Sequence, residues 1–421
     1  MTNTRPALGR VRLTRRRMLA AGTVVAALLV GAPVVATAAA DDPAPRPGAY
    51  DYPVRPGSDK WKSFTTHEQM QRATQLPKGH AARMSTEDLA ATVLDYPLLL
   101  DAVAHNDVQR GMETVTAGFN GLQELLRRED SGKVLLTRYR AFDARVPANA
   151  SLTEAGEHTV EAWKLEMLLA QPQVLKTLSP KQLESVLRTG ADTAADKKTQ
   201  SAYGHAGLEP TAVLLGRALA LREGWDWKGS MLLREAIAPS ATNVDEVLSL
   251  VKAHFAEPGT QHRASADGDV STQDYYSHVR TPRGTRVRVI VMTYQLSRAK
   301  IRAYNRYVAR NYPRATRETN ASRKYNCHSY AWYSGSTSNN KWMNDPGDNK
   351  YWRDGSYSEW HTPYIWFGNM KLSWKSADHS GRWIRKSDRV RSKWGQLPRM
   401  NHYWKYSPYS ERRTESYFRN N

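Results

Sequence analysis

The sequence predicts an α+β protein, in which an all-helical N-terminal domain precedes a smaller domain of mixed helix and strand. Three observations predict it. Residues 85–255 place apolar side chains at helical spacing behind recognisable capping residues. Residues 256–274 lapse into Pro, Gly, Ser and Asp, as a connection between domains does. Beyond residue 275 the apolar positions alternate in short runs, and the chain becomes strongly basic.

Residues 1–40 are expected to be a targeting segment outside the fold. Thr14-Arg15-Arg16-Arg17-Met18-Leu19 matches a twin-arginine export signal, with Arg15 and Arg16 as the pair the translocon reads. An apolar run from Ala20 to Val30 follows, Pro33 breaks it, and Ala36-Thr37-Ala38 or Ala38-Ala39-Ala40 offers a cleavage site. The clean run is shorter than the ~20 residues a spanning helix needs, so a removed signal is expected and a permanent membrane span is not. Residues 41–84 open with Asp42-Pro43-Ala44-Pro45-Arg46-Pro47-Gly48 and read as a Pro/Gly-rich linker or wrapped arm without a core.

In the helical part, Ser85 with Asp88 begins a helix carrying Leu89 and Val93 on one face, and Asp95-Tyr96-Pro97 ends or kinks it. The clearest unit is Ser179 to Gly190, with a Ser N-cap, Pro180 in the first turn, Gln182 three residues after the cap and Gly190 as the stop. Asn243 to Phe255 repeats the pattern through Val247, Leu250 and Val251. His105, His158, His205 and His254 are not spaced as a ligand pair on one helix and read as surface or capping residues, so no metal is expected.

The second domain, residues 275–421, opens with a turn at Arg280–Thr285 and a strand in which Val287, Val289 and Val291 alternate with Arg286 and Arg288. Ser297 to Val308 is a basic amphipathic helix, with Ile301, Tyr304 and Val308 on one face, stopped by Tyr312-Pro313. Residues 334–360, rich in Asn, Asp, Gly, Ser and Trp, read as a long functional loop. Asp345, Asp348 and Asp354 within it do not match an EF-hand and are read as turn residues. One strand is expected around Val390 to Trp394, followed by a Tyr-containing tail.

The formal charge of +20 is unevenly placed. Residues 1–40 hold six Arg and no acid, residues 41–300 are balanced, and residues 301–421 hold 23 Lys and Arg against 9 Asp and Glu. Nine of the 13 tryptophans fall in that last stretch, a composition suited to anionic wall polymers: cations for phosphates and rings for sugar faces. Nucleic acid, the usual partner of such charge inside a cell, is not expected for a chain with an export signal.

Cys327 is the single cysteine in 421 residues and has no disulfide partner in its own chain. Asn326 is a good N-cap and Ser329 to Tyr333 can continue as helix, so Cys327 falls in a first turn, where the helix dipole favours a thiolate and backbone N–H groups can hold an oxyanion. A base is expected at His379, which opens a strand-like run about fifty residues later. His328 points about 100° away from Cys327 along a helix and is the poorer base.

A cysteine at a helix start followed by a histidine at a strand start resembles the NlpC-type and CHAP-type branches of the papain-like superfamily, which cleave peptide or amide bonds in bacterial cell walls. Asn311 to Thr316, Tyr325 to Trp332, Trp342 to Pro346, Asp354 to Tyr357, Asp378 to Ser380 and Ser392 to Gly395 also resemble a set of exported Gram-positive (actinobacterial and bacillar) proteins. So do Leu94 to Pro97 and Phe119 to Leu122 in the helical half. The resemblance implies a papain-like C-terminal domain, no cofactor, and a third residue orienting the histidine. Here the chain departs from the pattern: Gln396 has the right chemistry but lies late, Ser392 lies better, His402 is further away, and Ala321 stands where papain has its oxyanion Gln. Two function classes follow. One is a secreted, wall-associated cysteine amidase or endopeptidase using Cys327, His379 and Gln396, or a transferase on the same dyad. The other is a non-catalytic wall-binding protein.

Overall fold

Helix starts in the N-terminal half follow their capping chemistry. The computed structural model describes residues 46–224, 241–256, 274–361, 370–374, 378–409 and 414–420. The Ser85 hydroxyl accepts the Asp88 amide at 3.0 Å and opens the helix Thr86–Leu94. Ser179 and Gln182 form a reciprocal capping box at the head of Pro180–Lys198, and Ser151 with Glu154 does the same for Leu152–Leu169. Gly190 does not end its helix. A Cβ there would stand 2.6 Å from Leu215 Cδ2, so this glycine serves close packing against the helix Glu209–Arg222.

The expected linker of residues 41–84 is structured from residue 46 onward. It contains three short helices, Asp59–Ser63, His67–Ala73 and His80–Arg83, and it delivers Tyr52, Trp61, Phe64, Met70 and Leu76 into the core. Arg46 ion-pairs with Asp95 and Glu161, while the Tyr52 hydroxyl donates to the Thr92 carbonyl at 3.1 Å. Aromatic anchors and an ion pair thus hold a segment whose Pro and Gly content reads as unstructured. Residues 1–45, with the export signal and Arg15 and Arg16, lie outside the described residues.

The C-terminal half holds two antiparallel sheets, making the chain a mixed α and β protein. One has the order β1-β2-β4, with β1 at Tyr275–Arg280, β2 at Arg286–Val291 and β4 at Lys341–Trp342. The other has the order β3-β9-β8-β7-β6-β10-β5: β3 Thr316–Arg317, β5 Tyr357–Trp360, β6 Lys371–Trp374, β7 His379–Trp383, β8 Arg389–Lys393, β9 Arg399–Tyr403 and β10 Thr414–Arg419. Where a long loop was expected, residues 334–360 hold β4, the short helix Lys350–Arg353 and β5. Among the described residues beyond 387 there are three strands rather than one, because Val390, Met400 and Tyr417 each turn inward.

Only Ala256 and Asp274 of the expected inter-domain connection are described, but the parts on either side share one core. The helix Arg298–Asn311 lies on Leu152–Leu169 so closely that a Cβ at Gly156 would meet the Ala299 carbonyl oxygen at 2.4 Å. Tyr304, Val308, Tyr312, Trp394, Leu397 and Tyr409 belong to the same buried cluster as Trp61, Leu99, Val103 and Leu214. The described residues accordingly form one compact unit.

Buried charge crosses the same seam. Arg323 pairs with Glu209 at 3.0 Å and Asp274 at 2.8 Å, and Tyr312 donates its hydroxyl to Asp101 at 2.8 Å. Burying an ion pair gains little net stability, but removing one partner is costly, so such contacts fix how the elements meet. Among the described residues no helix is long and apolar enough to cross a membrane.

Candidate active site around Cys327

Asn326 organises the site. Its side-chain oxygen accepts the Ser329 and Met343 amides, each at 3.1 Å, and its amide group donates to the Met343 carbonyl at 2.6 Å and to Asn106 Oδ1 at 2.7 Å. The first of these bonds is the N-cap expected from the sequence, and it makes Cys327 the first helical residue. The helix widens into a π turn over Ser329–Tyr333, a feature often found at functional sites. There Trp332 Nε1 donates to Ser380 Oγ at 2.9 Å, and Arg382 donates to the Tyr330 and Ala331 carbonyls. Those contacts hold the helix against β7.

Cys327 is 1% exposed, and its thiol donates to Asn106 Oδ1 at 3.4 Å. Asn106 also donates to the Asp378 carbonyl at 3.1 Å, so one side chain from the helical half ties the cysteine to the residue before His379. Sequence reasoning missed Asn106, which stands 221 positions from Cys327 and carries no local signal.

His379 opens β7 as expected and is wholly buried. Its ring stacks on Tyr409 with centroids 3.5 Å apart and lies 4.6 Å from Trp374, its cross-strand partner. Neither ring nitrogen has a hydrogen-bond partner, so His379 is not bonded to the Cys327 thiol. Burial, reinforced by the positive charge of His328, pushes its pKa well below the usual histidine value and keeps it neutral. Tyr409 links the two residues: its pKa is raised by burial first and by Cys327 next.

None of the three candidate orienting residues bonds His379. Gln396 is fixed through its backbone, whose amide donates to the Val103 carbonyl at 2.9 Å. Ser392 and His402 pair with one another at 2.8 Å, and His402 Nδ1 donates to the Tyr403 carbonyl. That bond leaves Nε2 of His402 as the acceptor.

His328 is an anchored cation. Its Nδ1 lies 2.9 Å from Asp348 Oδ2 and its Nε2 2.7 Å from Asp378 Oδ1; His328 and Asp348 are buried and Asp378 is of intermediate exposure. Burial alone would lower its pKa, but the carboxylates and Cys327 raise it well above the usual value. His328 in turn holds Asp378 down to about 2 against its own burial, helped by Arg110 at 3.2 Å. Asp378 adopts φ of 46°, a left-handed conformation that Asp tolerates; it is the residue from which β7 starts. Ser380 Oγ, 2.8 Å from His328 Nδ1, completes the cluster.

A buried amine, Lys393, lies within electrostatic reach of Cys327. Lys393 donates to the carbonyls of Ser322, Gly395 and Leu397, and burial lowers its pKa to about 7, with Cys327 opposing the shift. The loop aspartates do not gather: Asp348 serves His328, while Asp354 accepts from Thr281 and from the Ser356 amide. Among the described residues no group of three His, Cys, Asp or Glu side chains is arranged to hold a metal.

The arrangement therefore offers a thiol at a helix start, a neutral imidazole with both nitrogens unpaired, one fixed cation at His328, and a lysine whose charge burial has weakened. Comparison of the chain with protein-family models, with curated proteins and with solved structures gives no match.

Proposed function

We propose that the protein is an exported cysteine amidase or endopeptidase on a papain-like scaffold, acting on peptide or amide bonds of the cell wall through Cys327 and His379. The observation that carries this reading is the state of His379. A wholly buried imidazole with two unpaired nitrogens is costly and calls for a reason, of which a catalytic role is one. It stands on a strand packed against the helix that Cys327 begins.

In the proposed reaction substrate displaces Asn106 from the thiol, His379 takes the thiol proton, and the thiolate attacks the carbonyl carbon. Collapse of the tetrahedral adduct breaks the C–N bond, and His379 returns the proton to the leaving amine. Water then resolves the thioester, or a second amine does so in a transferase. His328 is already protonated and cannot act as the base; its charge favours the anionic intermediates.

A second reading, a non-catalytic wall-binding protein, is favoured by the burial of Cys327 and the hydrogen bond its thiol already makes. Incubation with purified peptidoglycan separates the two. The enzyme reading expects new amino groups to appear, and expects Cys327→Ala and His379→Ala to abolish them while wall binding persists. No release from wall, together with iodoacetamide labelling of Cys327 only after denaturation, would leave the binding protein.

A further inference from the structure

We propose that the outer face of the β1–β2 hairpin is a binding site for a linear phosphodiester polymer of the cell wall. Strand alternation builds it. Val279, Val287 and Val289 turn inward and are buried, which leaves His278 and Arg280 on β1 and Arg286 and Arg288 on β2 exposed together. The register sets His278 opposite Arg288 and Arg280 opposite Arg286. Tyr276, 45% exposed, continues the row, with the Arg288 guanidinium 3.7 Å from its ring centroid. Lys350 joins from the neighbouring helix by donating to the Arg286 carbonyl at 2.9 Å.

The charge of this face is not neutralised. Among the described residues no carboxylate ion-pairs with Arg280, Arg286, Arg288 or Lys350, whereas Arg391 and Arg399 on the large sheet share Glu318. His278 feels the excess: after a desolvation contribution, Arg286, Lys350 and Arg288 lower its pKa. Charge on an edge strand also discourages strand pairing between molecules. That role does not account for Arg286 and Arg288, which sit on the central strand of the sheet.

The spacing selects the ligand. Cations two residues apart on a strand stand about 6.8 Å from one another, of the order of the phosphate repeat along a single phosphodiester strand. An exposed tyrosine beside them offers a face to the polyol or sugar between phosphates. A row of this kind fits a linear polyanion better than a compact anion. Only the choice of a wall polymer rests on the reading of the chain as exported; the anion-binding face does not depend on Cys327.

The test uses the full chain and poly(glycerol phosphate), with binding followed across a salt series. Arg286→Gln with Arg288→Gln should weaken binding about thirtyfold at low salt, from the contribution of a basic residue near a phosphate surface. The slope of log affinity against log salt should fall by about 1.4, at roughly 0.7 per phosphate contact for a single strand. Arg286→Lys with Arg288→Lys should retain most of the affinity, and Lys176→Gln with Lys181→Gln, exposed on the helical half, should leave it unchanged. Equal loss from the Lys176/Lys181 pair would reduce the effect to net charge and overturn the site. Equal, substitution-sensitive binding to phosphatidylglycerol vesicles would overturn the polymer assignment. Because Cys327→Ala should bind as the parent does, failure of the hydrolase reading leaves this result untouched.

Discussion

Acidification should unfold the protein at a pH where its carboxylates are still ionised, because three imidazoles are held neutral in and around the candidate site. His105, His379 and His402 are 4%, 0% and 0% exposed. Burial is the leading cause in each case: it takes His105 to about 4 and His402 to about 3, and His379 well below the usual value. In the unfolded chain all three titrate near 6.5. Below that pH the unfolded state takes up protons that the native state refuses. The stabilisation is therefore complete above about pH 6.5 and is lost as pH falls towards the native values. Between pH 7 and 5 each group costs about 1.9 kcal/mol, and the three together about 5–6 kcal/mol. That is comparable to the whole stability of many domains.

His328 cannot compensate. Its raised pKa contributes fully below the unfolded value and is lost as pH rises through the native value, so between pH 7 and 5 it returns less than about 1 kcal/mol against the roughly 5–6 lost. Urea midpoints at pH 7, 6 and 5 should fall steeply. His379→Phe should keep the stack on Tyr409, leave no unpaired nitrogen and remove one share of the dependence, making the variant about 2 kcal/mol more stable than the parent at pH 5. Midpoints independent of pH between 7 and 5, or a variant with the parent's slope, would refute the reasoning. If the variant also loses all peptidoglycan cleavage, stability and activity will have been separated at one residue.

Asn106→Ala removes the bonds to Asn326, Cys327 and the Asp378 carbonyl; urea unfolding should show a loss of about 2–4 kcal/mol, and native-state alkylation of Cys327 should accelerate. Gly395→Ala places a Cβ 2.5 Å from the Val103 and Ala104 carbonyl oxygens at φ of 47°, so the thermal midpoint should drop, by about 2–4 kcal/mol in free energy. Trp61→Ala empties a fully buried site and frees its bond to the Asn311 carbonyl; a loss of about 3–5 kcal/mol is expected, with earlier proteolysis of the arm before residue 60. A fragment of residues 275–421 expressed alone should lack the cooperative unfolding of the full chain, since Tyr312, Trp394 and Tyr409 would lose their partners in the helical half.

What the sequence made legible was local. Ser85, Ser179 and Asn326 cap helices because a cap is decided within four residues, and the Arg/Val alternation of β2 is decided within six. Gly190 was misread because a glycine that ends a helix and one that admits a neighbouring helix look alike until Leu215 is in place. The arm was misread because Pro and Gly obscured Tyr52 and Trp61, whose partners lie 40 and 250 positions away. The cationic state of His328 likewise depends on Asp348 and Asp378, and nothing adjacent to it announces them.

The long-range contacts explain why two sequence regions that read as separate domains share one core. Val103 and Ala104 end the buried 3-10 turn Leu99–Ala104 and Asn106 lies just beyond it, and each meets the C-terminal half: Val103 at the Gln396 amide, Ala104 at the Tyr409 hydroxyl, Asn106 at Cys327 and Asp378. Tyr409 then carries His379 on its ring face. One short segment of the helical half thus fixes the thiol, the residue before the imidazole and the ring beneath it. A composition boundary records where charge and tryptophan change along the chain. It does not record where side chains must converge, and around Cys327 they converge from both sides of it.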